Sequence, residues 1–245
     1  MSARVVPEDS RRRRRPTKQG AVLSERLIVD TALRLVARHG AEALSVRRLG
    51  AALGADPSAL YRYFRNTDAL LLAIADEIIG RAQEGWEATG EWREDLRALG
   101  LRIHAAYLAQ PQAAILAAHR TTGRPHETRA VEKILGVLRG GGFPDPLAVR
   151  AYHAFVDQAL AFAAQDAAAA ALPPAAAEAD TEVWHEVYGR LPAASHPNIA
   201  ATYPLLAADM RDSGYPFALE LMLTALETLR PGTAGAPERG PGKGS

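Results

Sequence analysis

The stretch Asp56-Pro57-Ser58-Ala59-Leu60-Tyr61-Arg62-Tyr63-Phe64 carries side chains suited to a nucleic-acid surface. On a helix, Leu60 and Phe64 lie four residues apart and share an inward face, which turns Pro57, Ser58, Ala59, Tyr61, Arg62 and Tyr63 outward. Small residues at the helix tip permit close approach to base edges. Ala59 can meet a thymine methyl, and the Ser58, Tyr61 and Tyr63 hydroxyls suit phosphate oxygens. Arg47, at the start of the preceding short helix, can reach a guanine or a phosphate, and the helix N-termini at Ser45 and Pro57 offer backbone amides to phosphates.

A second set of residues suits a small-molecule site between packed helices. Leu99, Ile103, His104 and Tyr107 lie on one helix, His119 and Arg120 on the next, and Phe155, Gln158 and Phe162 on a long one. Each apolar member also has a plain reading as core. His104 interrupts an otherwise apolar helix and is either a satisfied core histidine or a ligand donor. Trp184, His185 and Tyr188 lie between Pro173-Pro174 and Pro192 and form either a lid or a cap on the bundle. His153 and Asp157 stand at i,i+4, an arrangement that reads as a surface or interface pair before a catalytic one. There is no Walker loop, dinucleotide fingerprint, HExxH or GxSxG motif, and no Cys to serve as nucleophile or thiolate ligand. No catalytic residue, cofactor or metal site is expected.

The elements that must position these residues all read as helices. A first helix runs from about Ser24 to His39 with Leu27, Ile28, Ala32, Leu35 and Val36 as its apolar stripe, and Gly40 closes it. Ser45 N-caps a second, with Val46, Leu49 and Leu53 inward, ending at Gly54. Asp56 caps a third from Pro57 to about Phe64. Asn66 or Thr67 caps a fourth, reaching about residue 82. Two short helices joined at Gly54 and braced by a longer one describe a helix-turn-helix. Further helices are expected at about 92–109, 112–121, 126–139, 147–171, 178–189, 197–212 and 216–229, with Gly140-Gly141-Gly142 and Pro173-Pro174 as the clearest breaks. No strand pattern and no repeat is found. The expected class is all-α, with a flexible basic arm (1–20), a helix-turn-helix domain (21–68), a larger helical ligand-binding and dimerisation domain (69–230) and a disordered tail (231–245).

The formal net charge of +1 conceals an asymmetry. Residues 1–70 carry 14 Lys and Arg against 7 Asp and Glu, while the rest carries 15 against 21. A basic first third on an acidic body points to a polyanion partner for that third. The run Arg11–Arg15 leaves three readings open: an arm in the DNA minor groove, a solvated tail that attracts phosphates in general, or a product of coding bias, since Arg outnumbers Lys 26 to 3. No apolar run is long enough to span a bilayer, and no apolar segment follows the basic N-terminus as in a signal peptide, so no membrane partner and a cytoplasmic location are expected. A polybasic protein attached to membranes or to nucleic acid in general remains the competing class; it accounts for the Arg run but not for the helix pair.

The stretch Ala41–Leu71, with Leu-Ser-Val-Arg-Arg-Leu-Gly, Ala-Leu-Gly-Ala, Ala-Leu-Tyr-Arg-Tyr-Phe and Asn-Thr-Asp-Ala-Leu-Leu in order, resembles the TetR-family DNA-binding domain over about residues 24–72. The C-terminal part resembles the tetracycline-repressor-like branch, most visibly in the segment Phe217–Glu227, which is similar to that branch's last dimer helix. The resemblance implies an all-helical homodimer, a double-stranded DNA operator, and repression relieved by an inducer in the larger domain. It places DNA contacts on Ser45, Val46, Arg47, Pro57, Ser58, Ala59, Tyr61, Arg62, Tyr63 and Thr67. Val46 replaces a frequent hydroxyl residue, and Thr67 stands where the family often has Lys. Leu99 and Ala117 occupy two positions that hold magnesium–tetracycline in that branch; neither side chain can coordinate or hydrogen-bond. The implied inducer is therefore an apolar or aromatic small molecule.

Overall fold

The computed structural model describes residues 22–209 and 212–231. Its described residues form eleven α-helices and no strand: α1 (Glu25–His39), α2 (Val46–Leu53), α3 (Pro57–Leu60), α4 (Thr67–Gln83), α5 (Trp92–Leu108), α6 (Pro111–Ala117), α7 (Pro125–Gly140), α8 (Asp145–Ala170), α9 (Pro174–Glu186), α10 (Pro197–Asp209) and α11 (Tyr215–Leu229). The Arg11–Arg15 arm and all of the expected tail except Pro231 lie outside the described residues. The chain divides into two compact units on either side of Leu70.

In the first unit, α1 buries Ile28, Val29, Ala32, Leu33 and Val36, positions that recur at helical spacing. Its ends are satisfied locally. Ser24 Oγ accepts from the Leu27 N–H at 3.2 Å, and the Gly40 N–H donates to the Val36 carbonyl at 2.8 Å. Leu23, Ala43, Leu49, Leu53, Leu60, Phe64 and Leu70 supply the remaining apolar core. One boundary differs from the sequence pattern: α3 stops at Leu60. The N–H groups of Tyr63 and Phe64 both donate to the Leu60 carbonyl, at 2.9 and 3.0 Å, so the expected last turn is a tightened turn that still brings Phe64 inward.

In the second unit, α8 is the central element and packs on α5, α6, α7 and α11. Its buried residues are Ala148, Ala151, Phe155, Ala159, Ala163 and Ala167, spaced three or four apart. The five alanines of this run let the neighbouring helices approach closely. Pro173-Pro174 begins α9 as well as ending the preceding segment, because Pro at the first helical position gives up an amide that has no intrahelical partner. Helices α9 and α10 bury none of their described residues. No described helix is long and apolar enough to cross a membrane.

Tyr215, at the start of α11, is fully buried among Phe155, Leu219 and Gly100. Its hydroxyl has no hydrogen-bond partner, and burial raises its pKa. A Cβ on Gly100 would lie 2.6 Å from that oxygen, so the glycine makes the close approach possible. Tyr215→Phe removes a buried, unsatisfied hydroxyl and is expected to leave stability unchanged or to raise it by up to about 1 kcal/mol. A urea melt that shows a loss of stability would refute this.

Candidate DNA interface and ligand cavity

The helix-turn-helix is held by its caps and by one glycine contact. Ser45 Oγ accepts from the Arg48 N–H at 3.3 Å, and Gly54 ends α2 in the left-handed region, with φ 59° and ψ 32°. A Cβ on Gly50 would sit 3.0 Å from the Ala55 carbonyl oxygen and 3.2 Å from Pro57 Cγ, so the turn closes tightly over α2. Asp56 Oδ1 accepts from the Ser58 N–H at 2.8 Å, and the Asp56 carbonyl accepts from the Ala59 N–H at 2.9 Å. The amides that the sequence offered to a phosphate at this tip are thus occupied from within. Hydrogen bonds from Ser58, first its side chain and then its backbone, hold the Asp56 carboxyl below its usual pKa.

Pro57, Ser58, Tyr61, Arg62, Arg47 and Thr67 are exposed, and Ser45 and Ala59 are half-buried. Tyr61 is 56% exposed, large for an aromatic ring with no charge to solvate it. Tyr63 differs from it: the ring is half-buried and its hydroxyl donates to the Leu23 carbonyl at 2.6 Å. That proton ties the start of the unit to α3's following turn, so Tyr63 acts as an internal brace. The fourth helix is capped by Asn66, whose Oδ1 accepts from the Ala69 N–H at 2.8 Å, and not by Thr67.

The second unit encloses a cavity of about 70 Å³ between α4, α5, α7 and α8. Of the sequence-derived ligand residues, Leu99, Ile103, Tyr107 and Arg120 line it. The others point elsewhere. Phe155 packs at the α5–α11 contact, Gln158 Nε2 donates to the Ala218 carbonyl at 3.1 Å, and the Phe162 ring lies 5.7 Å from that of Tyr215. His119 is exposed. His104 is a satisfied core histidine: Nε2 lies 2.7 Å from Asp166 Oδ2, and the ring stacks on Tyr215 at 4.8 Å. Trp184 and Tyr188 stack on each other at 4.4 Å, and His185 Nδ1 lies 2.8 Å from the Tyr203 hydroxyl.

The polar side of the cavity is built by α4 and the start of α7. Asp76, buried on α4, accepts from the Glu127 N–H at 2.9 Å and the His126 N–H at 3.3 Å. These are amides in the first turn of α7, so α7 is capped by another helix. Gly80 faces the His126 ring, which a Cβ would meet at 2.9 Å. One turn further on, Gln83 Nε2 donates to the carbonyls of Ile79 (3.1 Å) and His126 (2.9 Å). Glu127 accepts from the Thr122 N–H at 3.0 Å and the Gly123 N–H at 2.6 Å. Burial, and then the Glu127 carboxylate, raise the pKa of Tyr107 and Tyr152, so both phenols keep their protons.

Residues 28–74 match the family described as bacterial regulatory proteins of the tetR family, and residues 85–230 match the tetracyclin repressor-like C-terminal domain. The chain belongs to the TetR family. An HTH-type transcriptional regulator of Saccharopolyspora erythraea is 30% identical over 132 residues, 53% of this chain but only 56% of that protein. The HTH-type transcriptional repressor DrrR1 of Streptomyces coeruleorubidus is 25% identical over 82% of this chain and 76% of its own length. The crystal structure of the Streptomyces coelicolor TetR-family protein ActR in complex with actinorhodin superimposes with a TM-score of 0.75 at 25% identity, covering 86% of this chain and 99% of that one.

Sequence reasoning passed over Ile79, Gln83, Glu127, Ala130, Val131, Ile134, Tyr152, Val156 and Leu160, all of which line the cavity of this TetR-family chain. A signal existed for two groups of them. Ile79 and Gln83 stand at i,i+4 on α4, and Tyr152, Val156 and Leu160 form a second stripe on α8 beside Phe155–Phe162. Which α8 stripe faces the cavity depends on a rotation of about 100° per residue, and periodicity leaves that undetermined.

Proposed function

We propose that this chain is a DNA-binding transcriptional repressor that holds a palindromic operator as a homodimer and releases it when a small molecule enters the α4–α5–α7–α8 cavity. The observation that carries the reading is that cavity, enclosed in one unit of a chain whose other unit is a helix-turn-helix. Residues 21–68 serve as the DNA-binding domain and 69–230 as the ligand-binding and dimerisation domain, with Arg47, Pro57, Ser58, Ala59, Tyr61, Arg62 and Thr67 toward DNA and Ser45 supporting them.

Self-association rests on α11 and α8. Phe217 and Leu221 are 71% and 57% exposed at i,i+4 on α11, beside exposed Leu229, and Val149 is exposed on α8. An apolar stripe of this kind is expected to be covered by a second copy. Leu99, Ile103, Val131, Ile134 and Val156 make the cavity wall largely hydrocarbon, which favours an apolar or aromatic inducer. The ActR complex with actinorhodin gives the same direction for a related fold. Leu99 offers only hydrocarbon and Ala117 is fully buried, so the magnesium–tetracycline pair finds no side-chain ligand at those two places.

A ligand of ordinary size needs roughly 300 Å³ or more. The cavity must therefore widen on binding, and widening is the difference between two states on which a coupling of about 1–3 kcal/mol can act. The test is selection of DNA fragments by the purified protein, followed by footprinting. Protection of paired half-sites about 34 Å apart is expected. Equal affinity for random DNA would overturn the reading.

A further inference from the structure

We propose that the C-terminal segment Ala234–Lys243 lies as a strap in a groove of the larger unit, between the α4–α5 connection and the outer face of α7. The groove has a volume of about 490 Å³, and its lining includes Trp86, Glu87, Asp95, Gly136, Val137 and Gly140. Its floor is open because α7 carries glycine at both 136 and 140: a Cβ on either would meet nothing within 4 Å. Trp86 and Val137 supply apolar wall and are fixed from behind by the core of the unit.

The occupant follows from where the chain leaves the bundle. Arg230, just past α11, donates from Nη1 to the Gly141 carbonyl at 3.4 Å, and its guanidinium lies 6.0 Å from the centre of the Trp92 ring. Gly141 follows directly on Gly140, so α11 ends beside one end of the groove. Residues 232–245 come next in the sequence. The first five of them can extend about 17 Å, well beyond the helical turn of about 6 Å between Gly136 and Gly140. Pro237 and Pro241 bring rigid apolar rings to a groove walled by an indole, the pairing by which proline-rich segments are held against aromatic side chains.

Charge points the same way. Arg239 and Lys243 outnumber Glu238 in the segment. Glu87 is exposed at the groove, and the Asp95 carboxylate lies in its wall, bonded to Thr89 and Gly90. The C-terminal end of α7, at Gly140, adds the negative end of a helix dipole. Lys133, the cation among the lining residues, is occupied: Nζ donates to the Trp86 carbonyl at 3.1 Å and lies 5.1 Å from the indole centre. The strap ties the end of α11 to the α4–α5 connection.

The test uses the full chain with isotope-labelled glycine and reads backbone order by relaxation. Gly235 and Gly240 are expected near the order parameter of about 0.85 of a rigid backbone, and Gly244, beyond the strap, below about 0.6. Gly136→Leu fills the groove floor and replaces a glycine inside a helix, where glycine is the poorer former, so it should keep the fold and drop Gly240 to the level of Gly244. Pro237→Asp alters the segment and no described helix, and should release the strap in the same way if Gly136→Leu fails to fold. Gly235 and Gly240 as mobile as Gly244 in the wild type would overturn the proposal. So would order that persists in either variant, which puts the segment elsewhere. A mobile segment, with Gly136 and Gly140 resonances that shift with protein concentration, would give the groove to a second copy and also overturn it.

Discussion

Tyr61→Ala is expected to weaken operator binding by about 1.5–3 kcal/mol per recognition helix, the range for a hydrogen bond to a charged acceptor, with the thermal melt unchanged. The ring is 56% exposed and none of its atoms is needed by the core. Leu60 and Phe64, on either side, do the inward packing. Its hydroxyl is free of the structural duty that Tyr63 carries, and a phenol beside exposed Arg62 on the outward face of the helix-turn-helix suits a phosphate oxygen. Tyr63→Phe provides the contrast. It deletes the bond to the Leu23 carbonyl and should reduce stability by about 0.5–1.5 kcal/mol, with DNA affinity following only as far as folding does. Gel-shift titration beside circular dichroism separates the two. Full affinity in Tyr61→Ala would remove it from the DNA contacts, and a destabilised Tyr61→Ala would show that the ring braces the fold.

The pair Tyr61 and Tyr63 also marks where the sequence stops being legible. Both are Tyr, both lie off the Leu60–Phe64 face, and both suit phosphate by chemistry. Only the position of the Leu23 carbonyl, forty residues earlier in the chain, distinguishes them. The helices were legible because capping and periodicity are local. Ser45 and Asp56 cap where their side chains predict, and Gly54 turns left-handed where a stop is needed. The cavity was legible only in part. Leu99, Ile103 and Tyr107 share one face of α5 and were found together, whereas Gln83 and Glu127 come from α4 and α7 and meet only after packing. His104 could not be assigned from its own helix, since the Asp166 that satisfies it lies 62 residues on.

Asp76→Ala is the substitution expected to weaken the larger unit most among those that leave the apolar core intact. Asp76 is 4% exposed and serves as a cap for a helix to which it does not belong. Arg124, at the N-cap position of α7, makes no side-chain capping bond, so the first-turn amides of His126 and Glu127 depend on the α4 carboxylate. The Thr122 hydroxyl donates to the same group at 3.4 Å. Removing it leaves two part-buried amide donors without their partner and takes a negative charge from a helix N-terminus, a combined loss of about 2–4 kcal/mol. Asp76→Asn keeps one acceptor oxygen but can turn an amide N–H toward a backbone N–H, so an intermediate loss is expected. Urea unfolding monitored at Trp86 and Trp92, both buried in this unit, measures the ordering of the two variants. An unchanged midpoint in Asp76→Ala would show that α7 holds its place without the cap. The same change should reach the cavity, because Gln83 lies two turns along α4 and is anchored to the carbonyl of His126, whose amide Asp76 holds. Asp76→Ala is therefore expected to weaken ligand binding in the cavity as well as to lower stability, and a variant that loses stability while keeping full ligand affinity would separate the cap from the cavity wall.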